Sequence, residues 1–416
     1  MAAVTMTVDD IRPWNDHAVR SRFPALARNA PPIYADAPGG TQVPSEVIDA
    51  MVDYLSTINS NIEGEFDATR QTDALIHEAR ADAAALVGGD PEGIAFGQNM
   101  TTLNFNLVRA VGRTLTSGDE IIVTQLDHEA NVSPWLLMAQ DRDLTVRTIP
   151  LTTDLDIDLD VLASTVGPRT RVVAFTLASN AVGTVTKARE IADMAHAHGA
   201  LAWMDGVAFT PHRLVDVNAL GSDVLLLSPY KVYGPHLGVG WIRPELAESL
   251  PAERVRPASL RPLGHRFETG TLSHEAIAGF RGSIDYLTSL GTGSDTREQI
   301  KTAFMSIQAH EAQLVDVFLQ GLADIPTVHL VGRAGSSDRV ATFGLRTLNV
   351  SPEQAARHLD AHGIYAWNGN FYAQGVMEAL GVDPESGILR LGFAHYNNLS
   401  DVQRCLEALR TLGITG

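Results

Sequence analysis

The sequence predicts an α/β protein built in two parts, and three observations carry that prediction. Short, nearly continuous runs of Val, Ile and Leu recur at 120–124, 171–176, 201–204, 223–227 and 238–242, as expected of strands covered on both faces of a parallel sheet. Amphipathic stretches lie between them; in residues 187–198, Ile191, Met194 and Ala195 share one face and Gly199 supplies the stop. After Ile284 the alternation gives way to a long helical stretch, 296–323, then to apolar runs at 328–331 and 341–345 and a final helix near 399–412. The Gly, Ser and Thr-rich segment 290–296 marks the boundary. The prediction is a large α/β domain over 22–289 and a smaller α+β domain over 290–416, with residues 1–21 a candidate to pack on the smaller one.

Composition removes several classes of function. The chain has 416 residues, 45% hydrophobic and 19% charged, which suits a globular protein with a sizeable core. Its formal net charge of −18 repels phosphate backbones and argues against nucleic acid or an anionic membrane as partner. No run approaches the roughly 18 apolar residues of a membrane helix, and Asp9 and Asp10 stand where an export signal would be basic. A single cysteine, Cys405, leaves no intramolecular disulfide and fits a reducing cytoplasm. The His196 and His198 pair lacks further ligands at zinc spacing, so no metal site is expected. Residues 234–240 are glycine-rich but do not follow the strand-to-helix order of a dinucleotide fingerprint.

Taken in chain order, the expected strand ends carry complementary chemistry. Residues 96–102 lead into a helical run at 103–115, so that backbone N–H groups around Met100, with Thr101 and Thr102, form a candidate phosphate cradle; an ordinary capped helix has the same pattern. The strand at 120–124 leads to Asp127 and His128, an imidazole able to lie flat on an aromatic ring or simply to pack. The strand at 171–176 leads to Ser179 and Asn180, whose amide suits a phenolic or substrate oxygen or a turn. The strand at 201–204 ends in Asp205, a carboxylate at the edge where open α/β sheets place ligands, able to pair with a protonated pyridine nitrogen or to cap a helix. The strand at 223–227 runs into Ser228, Pro229, Tyr230 and Lys231. Only three lysines occur, Lys187, Lys231 and Lys301. Lys231 alone follows a strand end, where burial would lower its pKa and make it nucleophilic.

In this order the residues resemble the fold-type I pyridoxal-phosphate enzymes, specifically the class V aminotransferase group that contains the cysteine desulfurases. The matching features are Asp127 to Asn131, Ser179 with Asn180, Asp205 and Gly206 followed by Pro211 and His212, Ser228 to Pro235, Arg266 to Thr271, and Arg390 with His395, Tyr396 and Asn397. The resemblance implies a large domain with a mostly parallel seven-stranded sheet and a small α+β domain, pyridoxal 5'-phosphate as cofactor, an amino-acid substrate, and a homodimer with a shared active site. It implies that Lys231 carries the cofactor as a Schiff base, Asp205 meets its ring nitrogen, His128 stacks on its ring and Asn180 meets its hydroxyl. Thr101, Ser228 and Tyr230 would hold the phosphate, Thr271 would reach the phosphate of a neighbouring subunit, and Arg390 would clamp the substrate carboxylate.

The sequence also departs from that pattern. Cysteine desulfurases carry a nucleophilic cysteine before an Ala-Gln pair, and here Tyr372 precedes Ala373 and Gln374. Cys405, between helical apolar residues, reads as a buried packing residue. Ala208 stands where desulfurases have a glutamine, and Tyr230 where they have a histidine. The expected function is therefore a pyridoxal-phosphate enzyme on an α-amino acid, leaning to a carbon–sulfur β-lyase, with Tyr372 lining the substrate site as a catalytic candidate. An aminotransferase, an epimerase, a decarboxylating variant and a non-catalytic cofactor-binding relative are the alternatives.

Overall fold

The computed structural model describes residues 14–413. Its central sheet has seven strands: β1 (Ile94–Gly97), β2 (Glu120–Thr124), β3 (Thr145–Ile149), β4 (Thr170–Thr176), β5 (Leu201–Asp205), β6 (Val224–Leu227) and β7 (Gly238–Ile242), in the spatial order β1-β7-β6-β5-β4-β2-β3. β2 to β6 are mutually parallel along the sheet, and only β7 runs antiparallel, to β6 and β1 alike. The apolar run at 238–242 is thus a strand as expected, but one whose direction the pattern of residues cannot reveal. β1 and β3 went unnoticed in the sequence. β1 has four residues, and β3 is a half-exposed edge strand that lacks the continuous apolar signature.

Successive side chains of these strands serve two cores. Ile121, Val123, Val172, Ala174, Val224 and Leu226 face one, closed by Leu103, Leu107 and Val111 of the helix Met100–Gly112 and by Trp135 and Trp203. Ile122, Val173, Phe175, Leu225 and Leu227 face the other, closed by Ile191 and Ala195 of the helix Ala188–His196 and by Phe280 and Ile284 of the helix His274–Leu290. Burial on both faces is why these strands read as unbroken apolar runs.

A second, antiparallel sheet holds β8 (Val328–Leu330), β9 (Thr342–Thr347), β10 (Trp367–Gly369) and β11 (Ile388–Gly392), in the order β10-β11-β9-β8. The long helix Thr296–Ala323 and the helix Leu399–Arg410 cover it through Leu314, Phe318, Leu406 and Leu409, with Cys405 fully buried among them. Ile33 and Ala35 join this core, because Ile33–Tyr34 pairs in parallel with Ile364–Tyr365, although they precede the large sheet in the chain. Of the N-terminal segment, residues 1–13 lie outside the described residues. The short helix Asp16–Arg20 reaches the C-terminal helix through an Arg20 to Asp401 ion pair at 2.7 Å. In β11, Leu389 and Leu391 face the small core, and strand alternation turns Arg390 to the opposite side, toward the large sheet. Among the described residues no helix is long and apolar enough to cross a membrane.

Candidate active site

The parallel register aligns the carboxyl ends of the strands, with Thr176 opposite Asp205 and Asp205 opposite Leu226. The loops that leave those ends close on a cavity of about 160 Å³ lined by Asn99, Met100, Thr101, His128, Asn180, Asp205, Ala208, Ser228, Tyr230 and Lys231, among others. Lys231 ends the single 3-10 turn Pro229–Lys231 that follows β6, and is buried. Its Nζ donates to the carbonyl of Pro38 at 2.5 Å. Burial pushes the amine down to about 7; the nearby Arg390 charge adds to this and Asp205 opposes it.

Asp205, the last residue of β5, accepts the Val207 N–H through Oδ1 at 2.8 Å. Burial lifts its pKa to about 6, against the pull of that N–H and of Lys231, so it is mostly ionised at neutral pH. The His128 loop is pinned from beneath: Asp127 is buried, bonded to the Thr124 hydroxyl and, at 2.8 Å, to the Asn131 amide. His128 Nδ1 accepts the Ala130 N–H at 3.0 Å, which leaves Nε2 as the ring donor. Burial, with the charges of Lys231 and Arg390, lowers His128 to about 4, so its imidazole is neutral.

Asn180 gives its side-chain N–H to the carbonyl of Phe371 at 2.8 Å, while its Oδ1 is buried with no partner among the described residues. Arg390 donates from Nη1 to the main-chain carbonyl of Asn180 at 2.9 Å, and its Nε is buried and equally unpartnered. Desolvation brings its guanidinium down to about 9, with Tyr230 and Asp36 opposing. The helix Met100–Gly112 starts at the cavity wall, but Asn99 caps it by accepting the Thr102 N–H at 2.8 Å. Thr102 is exposed and outside the lining, so Met100 and Thr101 are the members of the expected cradle that reach the cavity. Thr271 is exposed and does not line the cavity of its own chain. Tyr372 is 70% exposed, with its ring centroid 5.3 Å from that of His128.

Two stretches that matter here escaped the sequence reading. The stretch 36–41 supplies the acceptor for Lys231, and within it the Oδ1 atom of Asp36 is buried with no partner among the described residues. Phe371 lays its ring 4.0 Å from the Arg390 guanidinium carbon. Both contacts join residues far apart in sequence and leave no local signature. Away from the cavity, a groove of about 740 Å³ at the opposite edge of the sheet includes His196. There His196 bonds Asp223 at 2.8 Å, and Arg243 holds the other oxygen of that carboxylate. Among the described residues no cluster of three or more His, Cys, Asp or Glu is placed to hold a metal.

A doubly covered parallel sheet, a buried amine of lowered pKa at one strand end, a buried carboxylate at the next and a neutral imidazole lining the same cavity are the features of a pyridoxal-phosphate enzyme of the α/β type. The residues fit that group: the Asn180 Oδ1 and the Arg390 Nε are buried polar atoms with no partner among the described residues, left available to a bound molecule. The sequence profile of the aminotransferase class-V family matches residues 33–405. The chain is 31% identical to a cysteine desulfurase of Dickeya dadantii, over 95% of this chain and 96% of that one. It is 29% identical to the aminotransferase-like protein FGM3 of Gibberella zeae, over 94% and 96%. Its fold matches the apo structure of a cysteine desulfurase from Thermococcus onnurineus with a TM-score of 0.86 at 24% identity, covering 95% of this chain and 97% of the other. The chain belongs to the aminotransferase class-V family and is a pyridoxal-phosphate-dependent enzyme acting on an α-amino acid.

The lowered pKa of Lys231 gives a pH dependence. Below about 7 the amine is protonated and cannot attack a carbonyl; above it the free amine predominates. The rate at which cofactor-free protein takes up pyridoxal phosphate, followed by visible absorbance, should therefore rise through about pH 7 and then level off. A rate that keeps climbing toward pH 10 would mean that Lys231 titrates as an exposed lysine does.

Proposed function

We propose that the protein is a carbon–sulfur β-lyase acting on cysteine or a cysteine S-conjugate, and that it does not pass sulfur to a residue of its own. The carrying observation is the pairing of an intact strand-end site with the absence of an accessible thiol. Lys231, Asp205, His128 and Asn180 line one cavity, whereas Cys405 is fully buried in the small core and burial raises its thiol pKa. The similarity to a Dickeya dadantii cysteine desulfurase supports the sulfur-containing substrate.

The bound cofactor supplies an electron sink that stabilises negative charge at the substrate Cα. Lys231 would hold it covalently through Nζ and, as a free amine lining the same cavity, would move the Cα proton. Asp205 would keep a proton on the pyridine nitrogen through its ionised carboxylate. His128, neutral and fixed by the Ala130 N–H, offers a flat face for the ring, and Asn180 Oδ1 a partner for its hydroxyl or for the substrate. Met100, Thr101, Ser228 and Tyr230 form the wall suited to the phosphate; Thr102 belongs to the same helix start. Arg390 would take the substrate carboxylate. Tyr372, whose ring lies beside that of His128, would orient or protonate a leaving group but cannot carry sulfane sulfur. We read 22–289 as the cofactor-binding part and 290–416 as the part that brings Arg390 and Tyr372. The lone buried cysteine is compatible with a cytoplasmic setting.

The test is a panel of amino acids and cysteine S-conjugates assayed for keto acid, ammonia and thiol. Release of thiol and keto acid from an S-conjugate is expected, together with negligible sulfide transfer and no protein persulfide when L-cysteine is offered with an acceptor. A persulfide on Cys405 during turnover, or turnover confined to amino-group transfer, would contradict the proposal.

We also infer a homodimer: Thr271 is exposed and does not line the cavity of its own chain, and the resemblance to class V enzymes implies that it reaches the phosphate of a neighbouring subunit. Sedimentation at micromolar concentration should give a dimer, and Thr271→Ala should weaken cofactor retention. An active, cofactor-loaded monomer would exclude the shared site.

A further inference from the structure

Three residues close on one another around the Arg390 guanidinium, each through different atoms. The Asn180 main-chain carbonyl accepts Arg390 Nη1 at 2.9 Å, the Asn180 side-chain N–H goes to the Phe371 carbonyl at 2.8 Å, and the Phe371 ring stands 4.0 Å from the guanidinium carbon. Phe371 can present both its carbonyl and its ring to this triangle because its backbone is left-handed. Phe371 and Tyr372 both have φ of 56°, a conformation that L-residues with large side chains rarely adopt. The surroundings over-determine it. Asn370 accepts the Tyr372 N–H at 2.9 Å and ties its own amide to the Pro384 carbonyl at 3.1 Å, and the Glu129 N–H holds the Tyr372 carbonyl at 2.8 Å. Two consecutive strained residues kept by this many bonds indicate a selected shape rather than a slack turn.

The triangle also dictates which part of the guanidinium stays available. Nη1 is committed to Asn180 and one face of the plane is covered by Phe371, while Nε is buried with no partner among the described residues. A carboxylate binds arginine in the guanidinium plane through two parallel N–H bonds, so the orientation of that plane decides whether the free edge meets an incoming acid. An aromatic face at this distance fixes the plane and attracts the cation where water is excluded.

We propose that Phe371 is the positioning residue of the carboxylate site: its ring sets the plane of Arg390 and its carbonyl locks Asn180, so that recognition of the free α-carboxylate depends on the Phe371 turn. This rests on the amino-acid reading above, in which Arg390 meets the substrate carboxylate. It adds that the turn bearing Tyr372 and the carboxylate fork are one mechanical unit, and that discrimination between a free acid and its amide is set by a residue that does not itself touch the reacting atoms.

The experiment uses cofactor-loaded protein and two probe pairs, S-methyl-L-cysteine against its primary amide and L-alanine against L-alaninamide, titrated by the change in visible absorbance. The wild type should bind each acid more tightly than its amide. Phe371→Leu should weaken acid binding by roughly ten-fold, the scale of one desolvated cation–π contact, leave the amides unchanged, and raise KM for the acid far more than it lowers kcat. Phe371→Tyr, which keeps the aromatic face, should retain the wild-type ratio. Phe371→Met fills similar volume without the face and serves if the leucine variant does not fold. An acid-to-amide ratio that stays at the wild-type value in Phe371→Leu or Phe371→Met overturns the proposal while leaving the amino-acid reading intact. A wild-type spectrum that neither probe pair perturbs defeats that reading and the proposal with it.

Discussion

An amine kept out of water at the carboxyl edge of a parallel sheet is the constraint on which the rest of the site depends. A buried, unpaired lysine is costly when charged; burial lowers the basicity of Lys231 to about 7, and its Nζ donates to the Pro38 carbonyl. The neighbouring groups bear on that shift. Asp205 is near enough to oppose the shift and Arg390 near enough to add to it, while burial above all, with Lys231 and Arg390 nearby, keeps His128 neutral. The same burial that lowers the basicity of the amine also shifts the protonation of its neighbours, and the sheet register brings Asp205 within range.

The two parts of the chain divide the work. The large sheet offers strand ends whose spacing is fixed by the parallel ladder, and it contributes the groups suited to a ring, a phosphate and a covalent link. The small sheet contributes one strand, β11, whose alternation buries Leu389 and Leu391 on one side and turns Arg390 to the other. Residues 33–41 bind the halves together: Ile33 and Ala35 pack in the small core while Pro38, a few residues on, touches Lys231. Movement between the halves would thus alter the contact of Arg390 with Asn180 and the hydrogen bond of the lysine together.

Much of this was legible in the sequence, and the reason is local. A strand covered on both faces writes a continuous apolar run, and the residue after it falls at the sheet edge; Lys231, Asp205, Asn180 and His128 were all found this way and all line one cavity. The resemblance to class V enzymes added Arg390, which no local pattern singles out. What was lost is what depends on distant contacts. The direction of β7 is set by its partners, and β3 is an edge strand with a half-polar face. Thr102 looked like a phosphate ligand, but its N–H is spent on the Asn99 cap and the residue lies outside the lining. Phe371 and Pro38 act through a ring face and a carbonyl whose roles exist only once the chain is folded.

The claim that a single buried lysine organises the site is tested most directly by chemical trapping. Cofactor-loaded protein is reduced with borohydride, digested, and the modified peptide identified by mass spectrometry. The pyridoxyl group should be found on Lys231 at close to one per chain. An adduct on Lys187, at the start of the helix Ala188–His196, or on Lys301, within the helix Thr296–Ala323, would contradict the account.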